Sequence, residues 1–240
     1  MLQQFLSSAD AERAARTLGK LAGHGNAAWV LTGGLAVEIH RLRFGRQPSH
    51  RALSDIDFVV NSFDDITSAL AGDFLFRHVH PLEGPGKTLV QMVDPATAVR
   101  VDVFRALGGT MARSLGLELP SYSLRLVSLE DLLARTARLA MDLVNGVLIP
   151  AKHARDFCRL VDLVEPEQVE AAWAEHRKPS HPETFSEARR QLEALIPAHP
   201  ELLIDPEYSR DPGAICERCA PRSVFQLAEP KAILELLGYC

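Results

Sequence analysis

The chain has 240 residues, 47% of them hydrophobic and 24% charged, and a formal net charge of −5. That length buries a substantial core as one large domain or two small ones, and the composition is ordinary for a soluble globular protein. The charge gives no support for a general nucleic-acid-binding surface but leaves room for a local basic site, and no apolar run approaches the ~20 residues needed to span a bilayer.

The amino-terminal stretch MLQQFLSSADAER lacks the charged and apolar regions of a signal peptide. Ser8 or Asp10 is placed to cap a first helix, with Ala11, Ala14, Leu18 and Leu21 on one face and Gly23 and Gly25 at its end. Residues 27–31 read as the first strand. Thr32, Gly33 and Gly34 follow, and a second helix runs over 34–44 with Leu35, Val37, Ile39 and Leu42 among its apolar residues. The loop 45–54 belongs to a basic window, because Arg41, Arg43, Arg46 and Arg51 lie between Glu38 and Asp55 with no acid among them. Residues 55–60 read as the second strand and 64–70 as a short helix. Three strands follow, at 74–80, 87–93 and 99–105, with turn signals at Gly84-Pro85-Gly86 and Asp94-Pro95. Short successive strands with tight turns imply a mixed or antiparallel sheet portion and not a doubly wound one.

Composition changes near Gly108. Ser128 precedes Glu130 and Asp131 and begins a helical run over 129–145, with Gly146 behind it. Pro150 fits the first turn of the next helix, 151–164. Residues 166–176 and 182–195 are further helices, prolines break up the tail, and only 230–237 reads as regular again. The expected fold is α/β (α+β): a mixed sheet with flanking helices over residues 1–110, then a mainly helical part with an irregular tail over 111–240, with a cleft between them.

The chemistry concentrates in residues 31–60. Paired glycines let backbone approach a phosphate because no Cβ stands in the way. A helix that starts there aims free N–H groups and its positive end at the anion. In the strand that opens with Asp55, alternation turns Asp55 and Asp57 to one face and Ile56 and Phe58 to the core. Two carboxylates on one face suit Mg²⁺, which takes hard oxygen ligands and keeps contact with substrate phosphates. Arg46 and Arg51 are of the type that clamps phosphate bidentately. Plain alternatives stand beside each reading: a glycine turn, aspartates that cap turns or pair with surface bases, and a solvated arginine loop.

The order Gly33-Gly34, helix, Asp55-x-Asp57 resembles the DNA polymerase β-type nucleotidyltransferase superfamily. The version GGLAVEIH…GR…R…SDIDF is most similar to the minor nucleotidyltransferases, which include antibiotic-resistance adenylyltransferases and abortive-infection-type toxins. The resemblance is good over residues 27–105 and thinner to 164. It implies a third carboxylate on a later strand, for which Asp102 is the candidate. It further implies two Mg²⁺ ions held by Asp55, Asp57 and Asp102, and a nucleoside triphosphate, ATP foremost, on Thr32, Gly33, Gly34, Arg46 and Arg51. Lys152, with Asp156 one helical turn on, matches the Lys/Asp pattern of the family's helical part and would reach the triphosphate; a surface i,i+4 pair is the alternative. The implied reaction moves a nucleoside monophosphate to an acceptor hydroxyl or phosphate on a small molecule, tRNA or protein. A nucleotide-binding module without turnover is the other reading.

Cys216-x-x-Cys219 is half of a four-ligand zinc site, which Cys240 or a histidine would have to complete. Four cysteines without an export signal point to reduced thiols in the cytoplasm.

Overall fold

A computed structural model describes residues 1–25, 28–77 and 89–205. Helix α1, Ser8–Gly23, buries Ala11, Ala14, Leu18 and Leu21 as its periodicity dictates. Its cap is Ser7, whose hydroxyl accepts from the Asp10 N–H at 3.1 Å. Strand β1 is Val30–Thr32, three residues all buried, so Thr32 is the last residue of a strand and not part of the turn. The chain enters helix α2, Gly33–Arg43, directly from it. Strand β2 is Asp55–Val60, as the alternation requires. The segment expected as a short helix is two 3-10 turns, Phe63–Asp65 and Ser68–Gly72. Strands β3, Leu75–Arg77, β4, Leu89–Asp94, and β5, Val99–Arg105, follow. The turn signal at Gly84-Pro85-Gly86 lies outside the described residues.

A one-turn helix α3, Thr110–Arg113, leads to a hairpin of β6, Leu115–Leu119, and β7, Tyr122–Leu126. This hairpin lies beyond the expected division at residue 110 and yet belongs to the sheet. Among the described residues the sheet has seven strands in the order β3-β4-β5-β2-β1-β7-β6. The contacts β2 with β5 and β1 with β7 are parallel and the other neighbours antiparallel, so the sheet is mixed. The hairpin escaped the sequence reading because Leu117, Leu124 and Leu126 are its only buried apolar residues, too sparse a pattern over an edge.

The rest is helical: α4, Leu129–Ala140, α5, Ala151–Leu160, α6, Pro166–His176, and α7, Phe185–Ala198, with two-residue strands β8, Ile149–Pro150, and β9, Leu203–Ile204, pairing apart from the main sheet. Ser128 caps α4 by accepting from the Asp131 N–H at 3.0 Å. The helix ends at Ala140 and tightens into a 3-10 turn, Met141–Asn145, that Gly146 closes at φ 66°. Asp131 is a fully buried hub. It takes two 2.8 Å hydrogen bonds from Arg113 and faces His176 Nε2 at 3.1 Å, which ties α3, α4 and α6 together. The apolar core is continuous from Phe58 and Val101 in the sheet to Trp173 and Phe185 in the helices. The helix expected at 230–237 and the cysteines at 216, 219 and 240 lie outside the described residues.

Candidate functional site

The sheet's register places three carboxylates side by side. Asp57 is the parallel partner of Asp102 and the antiparallel partner of Thr32, and Asp55 is the partner of Arg100. Alternation sends Asp55 and Asp57 of β2 and Arg100, Asp102 and Phe104 of β5 to one face, while Ile56, Phe58, Val101 and Val103 go to the core. Carboxylate oxygens of Asp55, Asp57 and Asp102 lie within 4.8 Å of one another. They line a cleft of 490 Å³ whose other walls come from the start of α2, the loop before β2, and helices α4 and α5.

Such a cluster is electrostatically uncomfortable. Burial, and then the charges of Asp55 and Asp102, push the Asp57 carboxyl up to about 8, against the pull of Arg135 and Lys152. Burial pushes Asp102 up to about 6; Asp55 adds to this, while Arg100, a hydrogen bond from Gln91 and Lys152 oppose it. Arg100 is the nearest counter-charge. Its guanidinium hydrogen-bonds Asp55, and its Nε lies 3.2 Å from Asp102 Oδ1. Burial works against the Arg100 charge, but the three aspartates outweigh it and hold its pKa above the ordinary value. Asp102 Oδ1 is buried and, beyond the ion pair with Arg100, has no hydrogen bond among the described residues, so this oxygen still has coordination to offer. Hard oxygen donors at this spacing, one of them unsatisfied, fit a divalent cation such as Mg²⁺.

The glycine turn is built around the same residues. Gly33 has φ +67°, which side chains rarely adopt, and a Cβ there would overlap the Asp57 carboxylate. A Cβ on Gly34 would come within 2.7 Å of Arg51 Nη1. Both glycines therefore admit close neighbours from this chain as well as any phosphate. Arg51 is held from behind: it hydrogen-bonds Asp156, and its Nε donates to Glu38 Oε1 at 2.6 Å. Glu38 is fully buried and also takes two hydrogen bonds from Arg159, at 2.5 and 2.7 Å, and one from the Ser49 N–H at 3.0 Å. Burial alone would raise the Glu38 pKa, but those donors and the Arg51 charge bring it below the ordinary value. Lys152 and His153 enter the cleft from α5. Burial, with Lys152 and Arg135 close by, drops His153 to about 4, which leaves it neutral at physiological pH.

Of the residues singled out from the sequence, Gly33, Gly34, Arg51, Asp55, Asp57, Asp102 and Lys152 line this cleft. Two do not. Thr32 is buried in β1 and faces a smaller neighbouring cavity, and Arg46 sits on the exposed turn after α2 with its N–H bonded to Arg41 O. The sequence reading passed over Arg100, Arg135 and Glu38. Arg100 was detectable, since it is two residues from Asp102 on the same strand face. Arg135 had no local signal: its place depends on how α4 docks, with its guanidinium 4.4 Å from the centre of the Phe104 ring.

A scan against protein-family models finds no match for this chain, and a search of curated proteins finds none either. Solved structures do match. An antigenic nucleotidyltransferase-like protein from Paracoccidioides brasiliensis aligns with 82% of this chain and 92% of its own, at 18% identity and a TM-score of 0.43. ANT(2")-Ia in complex with adenylyl-2"-tobramycin covers 65% of this chain and 90% of its own, at 18% identity and a TM-score of 0.42. The solution structure of the antibiotic-resistance factor ANT(2'')-Ia covers 75% and 91%, at 16% identity and a TM-score of 0.43. These neighbours are nucleotidyltransferase-like proteins, the group that the sequence motifs resemble. Identities this low leave the reaction to be derived from the site's own residues.

Proposed function

We propose that the protein is a nucleotidyltransferase that moves a nucleoside monophosphate from a nucleoside triphosphate, ATP foremost, to an acceptor hydroxyl or phosphate. The observation that carries this reading is the convergence of Asp55, Asp57 and Asp102 within 4.8 Å, beside a glycine turn and among Arg51, Arg100, Arg135 and Lys152. A surface ion-pair cluster has no use for three carboxylates that raise one another's pKa values, whereas a polyphosphate site with divalent cations does. Asp55, Asp57 and Asp102 would hold the Mg²⁺. In a two-ion arrangement such cations activate the attacking oxygen and stabilise the leaving one.

The chain's own groups have separable tasks. The N–H groups at the start of α2 meet the triphosphate where Gly33 and Gly34 leave the backbone bare. Arg51, held by Glu38 and Asp156, and Lys152 add positive charge to the phosphate side of the cleft. Arg100 offsets the mutual repulsion of Asp55 and Asp102. In the transfer the acceptor oxygen forms its bond to the α-phosphorus, the bond to the bridging oxygen of pyrophosphate breaks, and the acceptor proton passes to Asp102. Thr32, buried in β1, and Arg46, on the exposed turn after α2, lie off the cleft wall and have no part in this transfer.

A binding module without turnover would take up nucleotide and release no pyrophosphate. The test is incubation of purified protein with each NTP, Mg²⁺ and a panel of small hydroxylated acceptors, with pyrophosphate release and product mass as readouts. Transfer of a mass equal to a nucleoside monophosphate supports the reading. Saturable nucleotide binding with no product across the panel and no pyrophosphate would favour the binding module. No helix among the described residues is long and apolar enough to cross a membrane.

A further inference from the structure

A second cavity, of 220 Å³, shares Phe104, Arg135 and Leu139 with the wall of the cleft. It is chemically unlike the cleft. Its sheet side carries Thr32 and Val59, its helix side Arg138, and Arg105 and His176 complete it. Two of its polar atoms are buried with no hydrogen-bond partner among the described residues: Thr32 Oγ1, in a side chain 1% exposed, and His176 Nδ1, in one 5% exposed. Unsatisfied buried polar atoms cost free energy, so two on the wall of one cavity point to a polar occupant.

The charges indicate which. Arg105 is exposed and Arg138 half-buried, and neither forms an ion pair among the described residues. Asp131 also lines the cavity, but Arg113, Ser128, Thr110 and His176 already occupy its oxygens. The wall therefore presents two uncompensated guanidinium groups, with Arg135 at the boundary, to a pocket that lacks an available anion. His176 places Nε2 against the Asp131 carboxylate, and Nδ1 is the ring nitrogen left to pair with an occupant. An occupant that suits all these groups carries an oxyanion for the arginines and hydroxyls to pair with His176 and Thr32.

We propose that this side cavity binds the phosphate-bearing end of a small hydroxylated molecule, a sugar or polyol phosphate, and so selects an acceptor whose hydroxyl is presented across the Phe104–Arg135 wall to the carboxylates. The assignment of the occupant as acceptor rests on the nucleotidyltransferase reading; the phosphate site itself does not. A dianionic phosphate matches two guanidinium charges, and the fork of each arginine suits paired phosphate oxygens.

The test is calorimetric titration of the full-length protein with glycerol 3-phosphate, in the presence of Mg²⁺ and a saturating non-hydrolysable ATP analogue. Glycerol serves as the neutral control. One saturable equivalent of glycerol 3-phosphate is expected, with no heat from glycerol. Arg138→Ala should weaken it at least about tenfold, the loss typical of a hydrogen bond to a charged group, and leave affinity for the ATP analogue within about twofold. Arg105→Ala, at an exposed position that does not threaten folding, should weaken it in the same direction. No saturable binding to the wild type, or binding that both variants leave unchanged, overturns the proposal. If the ATP analogue itself does not bind, the nucleotidyltransferase reading fails on its own. The titration is then run without nucleotide: sensitivity to Arg138→Ala and not to Lys152→Ala would still support the side cavity, and the reverse would refute it.

Discussion

Replacing Asp57 by Asn should make the metal-free protein more stable at pH 8 while depriving it of its response to divalent cations. The Asp57 carboxyl is pushed from the ordinary 3.8 up to about 8 by burial and by Asp55 and Asp102. A folded-state pKa raised this way means that the native state holds a proton which the unfolded chain releases. Its contribution to stability is fully present below pH 3.8 and is lost progressively as pH rises through about 8. The difference of about 4 pH units corresponds to about 6 kcal/mol at about 1.36 kcal/mol per unit. Asp57 is only half-buried, and screening through the open cleft reduces this to about 2 kcal/mol. Asparagine keeps the shape and removes the charge, so that penalty disappears. For a chain of this size about 2 kcal/mol moves the melting temperature by roughly 4–8 °C. The assay is a thermal melt of wild type and Asp57→Asn from pH 5 to pH 8.5 in EDTA, repeated with Mg²⁺. The gap between the two should widen as pH rises, and Mg²⁺ should close it by stabilising the wild type alone. A variant that melts below the wild type at pH 8 in EDTA, or that gains as much from Mg²⁺, would refute the account of the triad as a repulsive cluster awaiting cations.

Asp102→Asn should keep most of the affinity for NTP and lose turnover by about 10²–10⁴-fold, the signature of a group needed in the transition state; parallel loss of melting temperature, affinity and turnover would instead make Asp102 a structural carboxylate. Gly33→Ala forces a side chain into φ +67° and onto the Asp57 carboxylate, which should cost roughly 1–2 kcal/mol and weaken Mn²⁺ binding measured by electron paramagnetic resonance; undiminished Mn²⁺ affinity in a folded variant would reduce the glycine to a turn. Glu38→Gln leaves the Arg51 and Arg159 guanidinium groups without their shared anion, at a cost of about 3–5 kcal/mol in urea unfolding at pH 7. Because the Glu38 pKa is held below its ordinary 4.5, that contribution is present above pH 4.5 and is lost as pH falls through the folded value. Wild type and variant should therefore converge in acid, and a gap independent of pH would show that the pair acts by packing alone.

The elements that carry the site were legible because their signals are local. Alternation over 55–60 put Asp55 and Asp57 on one face, and over 99–105 it set Asp102 among alternating valines, on the strand where the family resemblance calls for a third carboxylate. Helix periodicity likewise marked α1, α4 and α6 to within a few residues. Local rules misplaced Thr32, because whether a residue closes a strand or opens a turn depends on its partner, here Asp57 across the sheet. They missed the β6–β7 hairpin because β6 lies at the sheet's edge and the two strands together bury only Leu117, Leu124 and Leu126.

Residue types and their spacing along the chain by themselves marked Asp55, Asp57 and the glycine pair, since each signal lies within a few residues, while Asp102 was singled out by the family resemblance. Tertiary structure alone decided that β2 and β5 lie side by side in register, which turns three separate aspartates into one cluster and raises the pKa of Asp57. It also decided that Arg51 is fixed between Glu38 and Asp156, that α4 brings Arg135 against Phe104, and that a cationic second cavity adjoins the cleft. Charge–charge energies depend on distance and burial, and for residues 45 to 105 positions apart in the chain, such as Asp55 with Arg100 or Arg51 with Asp156, only the packing of sheet against helices sets either one.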